Sequence, residues 1–236
     1  MTRTEIQRWG DERLRVRAWR GDARTAYVAP VPGRRPVSAT AIRLTTDALR
    51  DRGVDRVVTS ALTPAEEISF REAGFTERER LHLLRHDLEN LTRPTAELRR
   101  ARRGDRGEIL LTDTSAFDGF WQLDEVGLDE AIRATPTARV RVAPSDTGIV
   151  GYAVGGRAGT VGYLQRLAVR PSHQGHGLGR SLVMDSLRWM RRRGANHALV
   201  NTQMANERAF GLYLALGFRP EPHDLAVLEA ELGPSV

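Results

Sequence analysis

The chain of 236 residues contains no cysteine and no lysine; all 36 of its basic residues are arginine. Without cysteine there is no disulfide framework, no thiolate nucleophile and no thiolate metal site. Without lysine there is no Schiff base, and no P-loop lysine to reach a nucleotide's phosphates. Long apolar runs are missing as well: nothing approaches the ~18 residues of a membrane helix. Residues 1–20 are punctuated by charges and hold no apolar signal core. These absences together lead to the expectation of a cytoplasmic protein with no membrane partner.

What is present is an ordinary globular composition, 40% hydrophobic and 28% charged, with a net charge of +6. A basic surplus can attract acidic ligands or nucleic acid. Here the arginines are scattered, with short clusters at 99–103 and 191–193. No aromatic-interleaved basic stripe and no helix-turn-helix pattern accompanies them, which disfavours nucleic acid as the partner.

Periodicity and turn residues mark the elements. Strands are expected at 14–18 and 25–31, a helix at 38–52 stopped by Gly53, and a strand at 54–60. Thr63-Pro64 opens a second helix that closes at Gly74-Phe75, and a strand comes next at 80–88. Residues 90–94 read as a linker. Beyond it, 96–102 is strand-like, and 113–135, with Phe117, Phe120, Trp121 and Leu128, reads as one or two short helices. Segments 139–143 and 149–155 alternate like antiparallel partners, and 161–169 is a buried strand ended by Pro171. Leu178, Leu182, Val183, Leu187 and Met190 recur at helical spacing, and Gly194 follows an arginine-rich last turn. A strand at 196–202, a helix at 206–216 closed by Gly217-Phe218, and a strand at 225–232 complete the order.

An internal echo emerges from this layout. Arg52-Gly53, a strand, a helix and Gly74-Phe75 recur as Arg193-Gly194, a strand, a helix and Gly217-Phe218. Gly53 to Gly194 spans 141 positions and Gly74 to Gly217 spans 143. Such self-similarity points to a duplicated unit. The first copy has no glycine turn, and Phe70 stands where the second has Tyr213.

The turn Gln174-Gly175-His176-Gly177-Leu178-Gly179, between a buried strand and a helix, is a ready anion site, because open N–H groups meet the positive end of a helix dipole. The dinucleotide fingerprint fails, since the third glycine is replaced by Arg180. The P-loop fails for want of lysine. What fits is Gln174-x-x-Gly177-x-Gly179 after Leu-Ala-Val and a proline, with Asn206-x-x-Ala209-x-x-Leu212-Tyr213-x-x-x-Gly217-Phe218 downstream.

Both motifs resemble those of the GNAT superfamily of acetyl-CoA-dependent N-acetyltransferases, over most of the second half of the chain. The resemblance implies an α/β fold of the α+β type, with a mixed, largely antiparallel sheet flanked by helices. It implies two domains, a partial degenerate copy at 1–92 and a complete one at 93–236. It also implies acetyl-CoA as cosubstrate, no metal, and direct attack by a primary amine in a ternary complex. By resemblance the diphosphate rests on Gln174, Gly175, His176, Gly177, Leu178, Gly179 and Arg180, and Leu167, Ala168 and Val169 flank the pantetheine arm. Asn201 and Asn206 join the cofactor contacts, and Tyr213 is the general acid for the departing thiolate.

Each of these has a plainer structural reading. Asn206 suits a helix N-cap, and Tyr213 shares a helical face with Ala209 and Leu216. The family's catalytic glutamate has no counterpart, since Gln165 stands near its place. Substitutes are Glu125 or Asp124, or a water chain anchored by Tyr163 and Gln165. His173 and His176 flank the turn; His82 and His86 fall in an expected strand without a third ligand. The partner expected is a small-molecule or peptide amine, and a homodimer is admitted. The alternative is a non-catalytic acyl-CoA-binding or protein-interaction module.

Overall fold

Alternation of apolar and polar residues builds the first of two units seen in the computed structural model, which describes residues 4–20, 22–31 and 36–233. In β2 (Glu12–Trp19), Leu14 and Val16 are fully buried, while Arg13 and Arg15 beside them are exposed. The unit adds β1 (Glu5–Trp9), β3 (Asp22–Pro30), α1 (Ala39–Arg50), β4 (Arg56–Thr59), α2 (Pro64–Glu72) and the first residues of β5 (Thr76–His86). Ser38 caps α1, and Thr63 with Glu66 forms a capping box on α2. The C-terminal strand β12 (Leu225–Glu231) hydrogen-bonds to β4 and to β5, giving the order β1-β2-β3-β4-β12-β5. Only β3 and β4 run parallel. Ile42, Leu49, Phe70 and Phe75 fill the core beneath the helices.

The second unit takes the last residues of β5, then β6 (Arg99–Arg100), α3 (Arg106–Ala116), α4 (Glu125–Arg133), β7 (Thr137–Ser145), β8 (Gly148–Ala158) and β9 (Val161–Val169). After these come α5 (Leu178–Arg192), β10 (His197–Gln203), α6 (Glu207–Ala215) and β11 (Arg219–Pro220). The strand order is β5-β10-β9-β8-β7-β6, with β11 on β5. The sheet is mixed and largely antiparallel, as expected.

Two irregularities in β9 set the shape of its C-terminal half. Its parallel pairing with β10 covers only His197↔Val161 to Leu199↔Tyr163, so the two strands part beyond that point. Against β8 the register jumps from Val154↔Arg166 to Gly155↔Leu164, leaving Gln165 as an extra, bulged residue. The extra residue shifts the alternation of faces. Leu164 packs with Leu182 and Leu187 of α5, whereas Ala168 packs with Ile109 and Tyr152 in a separate cluster.

The structure moves several sequence-based boundaries. The expected strand at 96–102 shrinks to two residues. The helix expected from 113 begins earlier, at Arg106, and stops at Ala116. Residues 117–124 are irregular because Asp118 Oδ1 accepts the N–H groups of Phe120 (3.1 Å) and Trp121 (3.2 Å), closing an Asx turn. The strand β1 had no sequence expectation. The division between units falls at Leu83, not after 92, and the C-terminal strand joins the first unit. The cause is packing. Leu84, Leu88 and Leu91 sit in the second unit's core, and β12 fills the place between β4 and β5.

Candidate functional site

The turn between β9 and α5 is tied down at its first residue. Gln174 Nε2 donates to Val169 O at 2.9 Å, and its Oε1 accepts from Arg208 of α6. Gly175 and Gly177 then adopt φ values of +83° and +78°, in the left-handed region that favours glycine. A Cβ at either would meet no atom within 4 Å, so backbone conformation, not space, demands glycine there. At Gly179 a Cβ would come within 3.3 Å of Leu212 Cδ2, a close contact with the end of that side chain. Gly177 occupies the N-cap of α5 and offers no side chain to it. The N–H groups of the first turn are therefore left open at the positive end of the helix dipole.

This turn forms one side of a cleft of about 340 Å³. Leu167, Ala168 and Val169 of β9 line it together with Gln174, Gly175, Gly177, Leu178, Gly179, Arg180 and Asn206. The cleft thus gathers most of the cofactor set expected from sequence. The cleft is also lined by Ala116 and Phe117 at the end of α3 and by Arg208 of α6, which sequence reasoning did not place in the site, and by Ala209 and Leu212, which it named only as positions of the Asn206 motif. Arg208 stands inside the Asn206 motif at an unspecified position, so the motif itself carried no signal for it. Asn206 also caps α6, its Oδ1 accepting from Ala209 N at 3.0 Å.

Three expected residues stand apart from the lining. His176 is exposed beside it, while His173 lines the cleft. Asn201 is exposed on β10. Tyr213 is 4% exposed, packed in the core with its ring 5.4 Å from that of Phe218. Burial pushes the Tyr213 phenol above the ordinary tyrosine range, against the opposing charge of Arg166. The phenol is therefore protonated at neutral pH.

The candidates for proton acceptor separate clearly. Glu125 opens α4, is exposed, and does not line the cleft, so that expectation is corrected. Asp124 is engaged as the N-cap of α4, accepting from Gly127 N at 2.7 Å. At the bulge, Gln165 Nε2 donates to Thr135 Oγ1 at 3.1 Å, while its buried Oε1 has no hydrogen-bond partner among the described residues.

A buried acid outside the expected set is Asp113 on α3, fully buried. It accepts from Tyr152 Oη (2.5 Å), Arg166 Nε (2.7 Å), Arg166 Nη2 (2.8 Å) and Leu123 N (2.7 Å). Four donors make it a fixed counter-ion, not a base. Its place four residues after Ile109 on an inward helical face was the available signal, obscured once the helix was begun at 113.

His86, also outside the cleft, joins Leu216 O through Nε2 (3.0 Å) and accepts Leu88 N at Nδ1 (2.8 Å). Among the described residues no group of three or more His, Asp or Glu side chains is arranged to hold a metal. Nor is any helix among them long and apolar enough to cross a membrane.

Comparison with known proteins agrees with this geometry. The model of the acetyltransferase (GNAT) family matches residues 108–218, which span the cleft-lining elements from α3 to α6. Residues 108–218, just under half of the chain, thus match a family of acyltransferases. It is 28% identical over 222 residues to a mycothiol acetyltransferase of Nocardia farcinica (strain IFM 10152), covering 85% of this chain and 72% of that protein. In fold it resembles a tandem GNAT protein from the clavulanic acid biosynthesis pathway (TM-score 0.71, 17% identity, 99% of this chain and 85% of that one). It also resembles a GCN5-related N-acetyltransferase from Kribbella flavida (TM-score 0.66, 15% identity, 98% and 90%).

Proposed function

We propose that the protein transfers the acetyl group of acetyl-CoA to a primary amine by direct attack in a ternary complex. The observation that carries this reading is the cleft, which runs from an uncapped helix N-terminus along a stretch of β9 no longer paired with β10. The diphosphate lies on the amides from Gly175 to Arg180, and Arg180 and Arg208 add positive charge at that end. The acyl arm follows Leu167, Ala168 and Val169, where the N–H of Leu167 polarises the thioester carbonyl. Tyr213 gives its proton to the leaving thiolate. The amine's proton leaves through water. No thiol nucleophile is needed, as suits a chain without cysteine.

The acceptor is a small-molecule or peptide amine, and the name of the Nocardia relative puts mycothiol-related amines first in a screen. The protein works in the cytoplasm. The first unit is a degenerate copy of the second: its β3-α1-β4-α2 order repeats β9-α5-β10-α6, and Phe70 packs edge-on against Phe75 as Tyr213 packs on Phe218. Its helix N-terminus is already engaged, because the Glu12 carboxylate accepts from both the N–H and the hydroxyl of Ser38.

The test is calorimetric titration with acetyl-CoA, then free-thiol release across an amine screen. Tight binding and amine-dependent release are expected. Absence of binding by folded protein would end this reading. Binding without release for any amine would favour a non-catalytic acyl-CoA-binding module, the reading to which the lack of a carboxylate in the cleft lends some weight.

A further inference from the structure

The Asp113–Arg166 pair does more than the acetyl-transfer reading requires of it. Arg166 comes after the bulged Gln165 and precedes Leu167, at the start of the cleft-lining stretch of β9. Besides gripping Asp113 with two nitrogens, its Nη2 donates to Trp121 O at 2.6 Å. Its guanidinium carbon lies 3.5 Å from the ring centroid of Phe117, which lines the cleft. The Asp113 carboxylate in turn holds Leu123 N, beyond the same irregular segment.

A buried ion pair is weak evidence for stability, because desolvation consumes much of the attraction. A fully satisfied one does impose a single geometry on the groups it joins. Here those groups are β9, α3 and the segment carrying Phe117. A phenylalanine at a helix C-cap, with an irregular loop after it, would make a yielding wall by itself. Cation–π contact on the ring, with the cation itself locked from the other side, makes the wall stiff. The ring rests on Arg166, the residue before Leu167, so Phe117 meets the cleft wall at the Leu167 end of the Leu167–Val169 stretch, where on the acyl-CoA reading the acyl group of a bound thioester would end.

We propose that Phe117, pinned by the Arg166–Asp113 pair, sets the acyl-chain length the cleft admits, accepting acetyl and rejecting longer chains. This rests on the acyl-CoA reading of the cleft. Arg166 and Asp113 act through Phe117 and are positioning residues.

The test is calorimetry on the full-length protein with CoA, acetyl-CoA and butyryl-CoA, with melting temperatures as a control on folding. Wild type is expected to prefer acetyl-CoA to butyryl-CoA by roughly tenfold or more, the scale that a hydrophobic pocket reaches against extra methylenes. Phe117→Ala should bring that ratio to about one, a comparison made within one variant that does not depend on its affinity for acetyl-CoA alone. Phe117→Tyr should keep the wild-type ratio. Arg166→Lys retains the charge but loses the two-pronged grip, and should shift the ratio part of the way with the ring still present. If Asp113→Asn or Arg166→Lys fails to fold, Phe117→Ala decides alone. An unchanged ratio in Phe117→Ala, or equal binding of both thioesters by wild type, overturns the proposal. Failure of all three to bind overturns the acyl-CoA reading itself, a separate outcome.

Discussion

At Tyr213 two demands meet in one side chain. Its ring belongs to the core around α6, and its hydroxyl is the proton donor in the proposed reaction. The two roles separate experimentally. Tyr213→Phe keeps the ring, so acetyl-CoA affinity should stay within about threefold while turnover falls by about 10²–10⁴, the usual range for a lost general acid. Calorimetry and steady-state thiol release measure the two quantities. Equal losses in both would assign Tyr213 to packing. Gln165 shows the converse: a residue whose type excludes proton transfer but whose backbone, as the bulge, sets which residues of β9 face the cleft.

Among the elements, the β9–α5 turn and α6 matter most. Gly177→Ala forces a Cβ into a left-handed conformation, at a cost of about 1–2 kcal/mol. Relief of that strain would reorient the amides, so acetyl-CoA should bind about tenfold more weakly, since 1.4 kcal/mol corresponds to tenfold. Titration calorimetry reads this directly, and unchanged affinity would place the diphosphate elsewhere.

Helix α6 is secured at its C-terminal end by His86, whose Nε2 meets Leu216 O and whose Nδ1 accepts Leu88 N. Burial holds this imidazole below its ordinary value, although the Leu216 bond opposes the shift. The unfolded chain therefore takes up the proton at higher pH than the folded one. The corresponding stability is complete above about pH 6.5 and is lost as pH falls below it. Between pH 7.5 and 5, the melting temperature of wild type should fall more than that of His86→Gln. Parallel profiles would show that His86 does not titrate with folding.

On the scale of the molecule, the order of the chain and the membership of the units disagree. The second unit needs the end of β5, which pairs with β11, and it needs Leu84, Leu88 and Leu91 for its core. The first needs β12 from the C-terminus. A fragment 93–236 would keep β12 without its strand partners and lose β5 altogether. It should show no cooperative melting transition by circular dichroism, whereas full-length protein should. A cooperative transition in the fragment would mean that residues 83–92 are dispensable.

The sequence by itself determined the elements whose signals are local. Aliphatic alternation marked β2, β8 and β9, capping residues marked α1 and α2, and the glycines at 175 and 177 marked the turn, because each depends on neighbours a few positions away. The family and most of the cleft lining came from those short motifs. Long-range pairing alone decided the rest. The location of β12 between β4 and β5 turns on pairing with residues far away in the chain, from Leu225 with Leu81 to Glu231 with Arg56. The meeting of Asp113, Tyr152 and Arg166 required three elements to converge, and no spacing in the sequence records that. The placing of Glu125 outside the cleft came from where α4 begins and packs. Contact between residues far apart in the chain is a property of packing, and it chose which charges were buried and which were left in water.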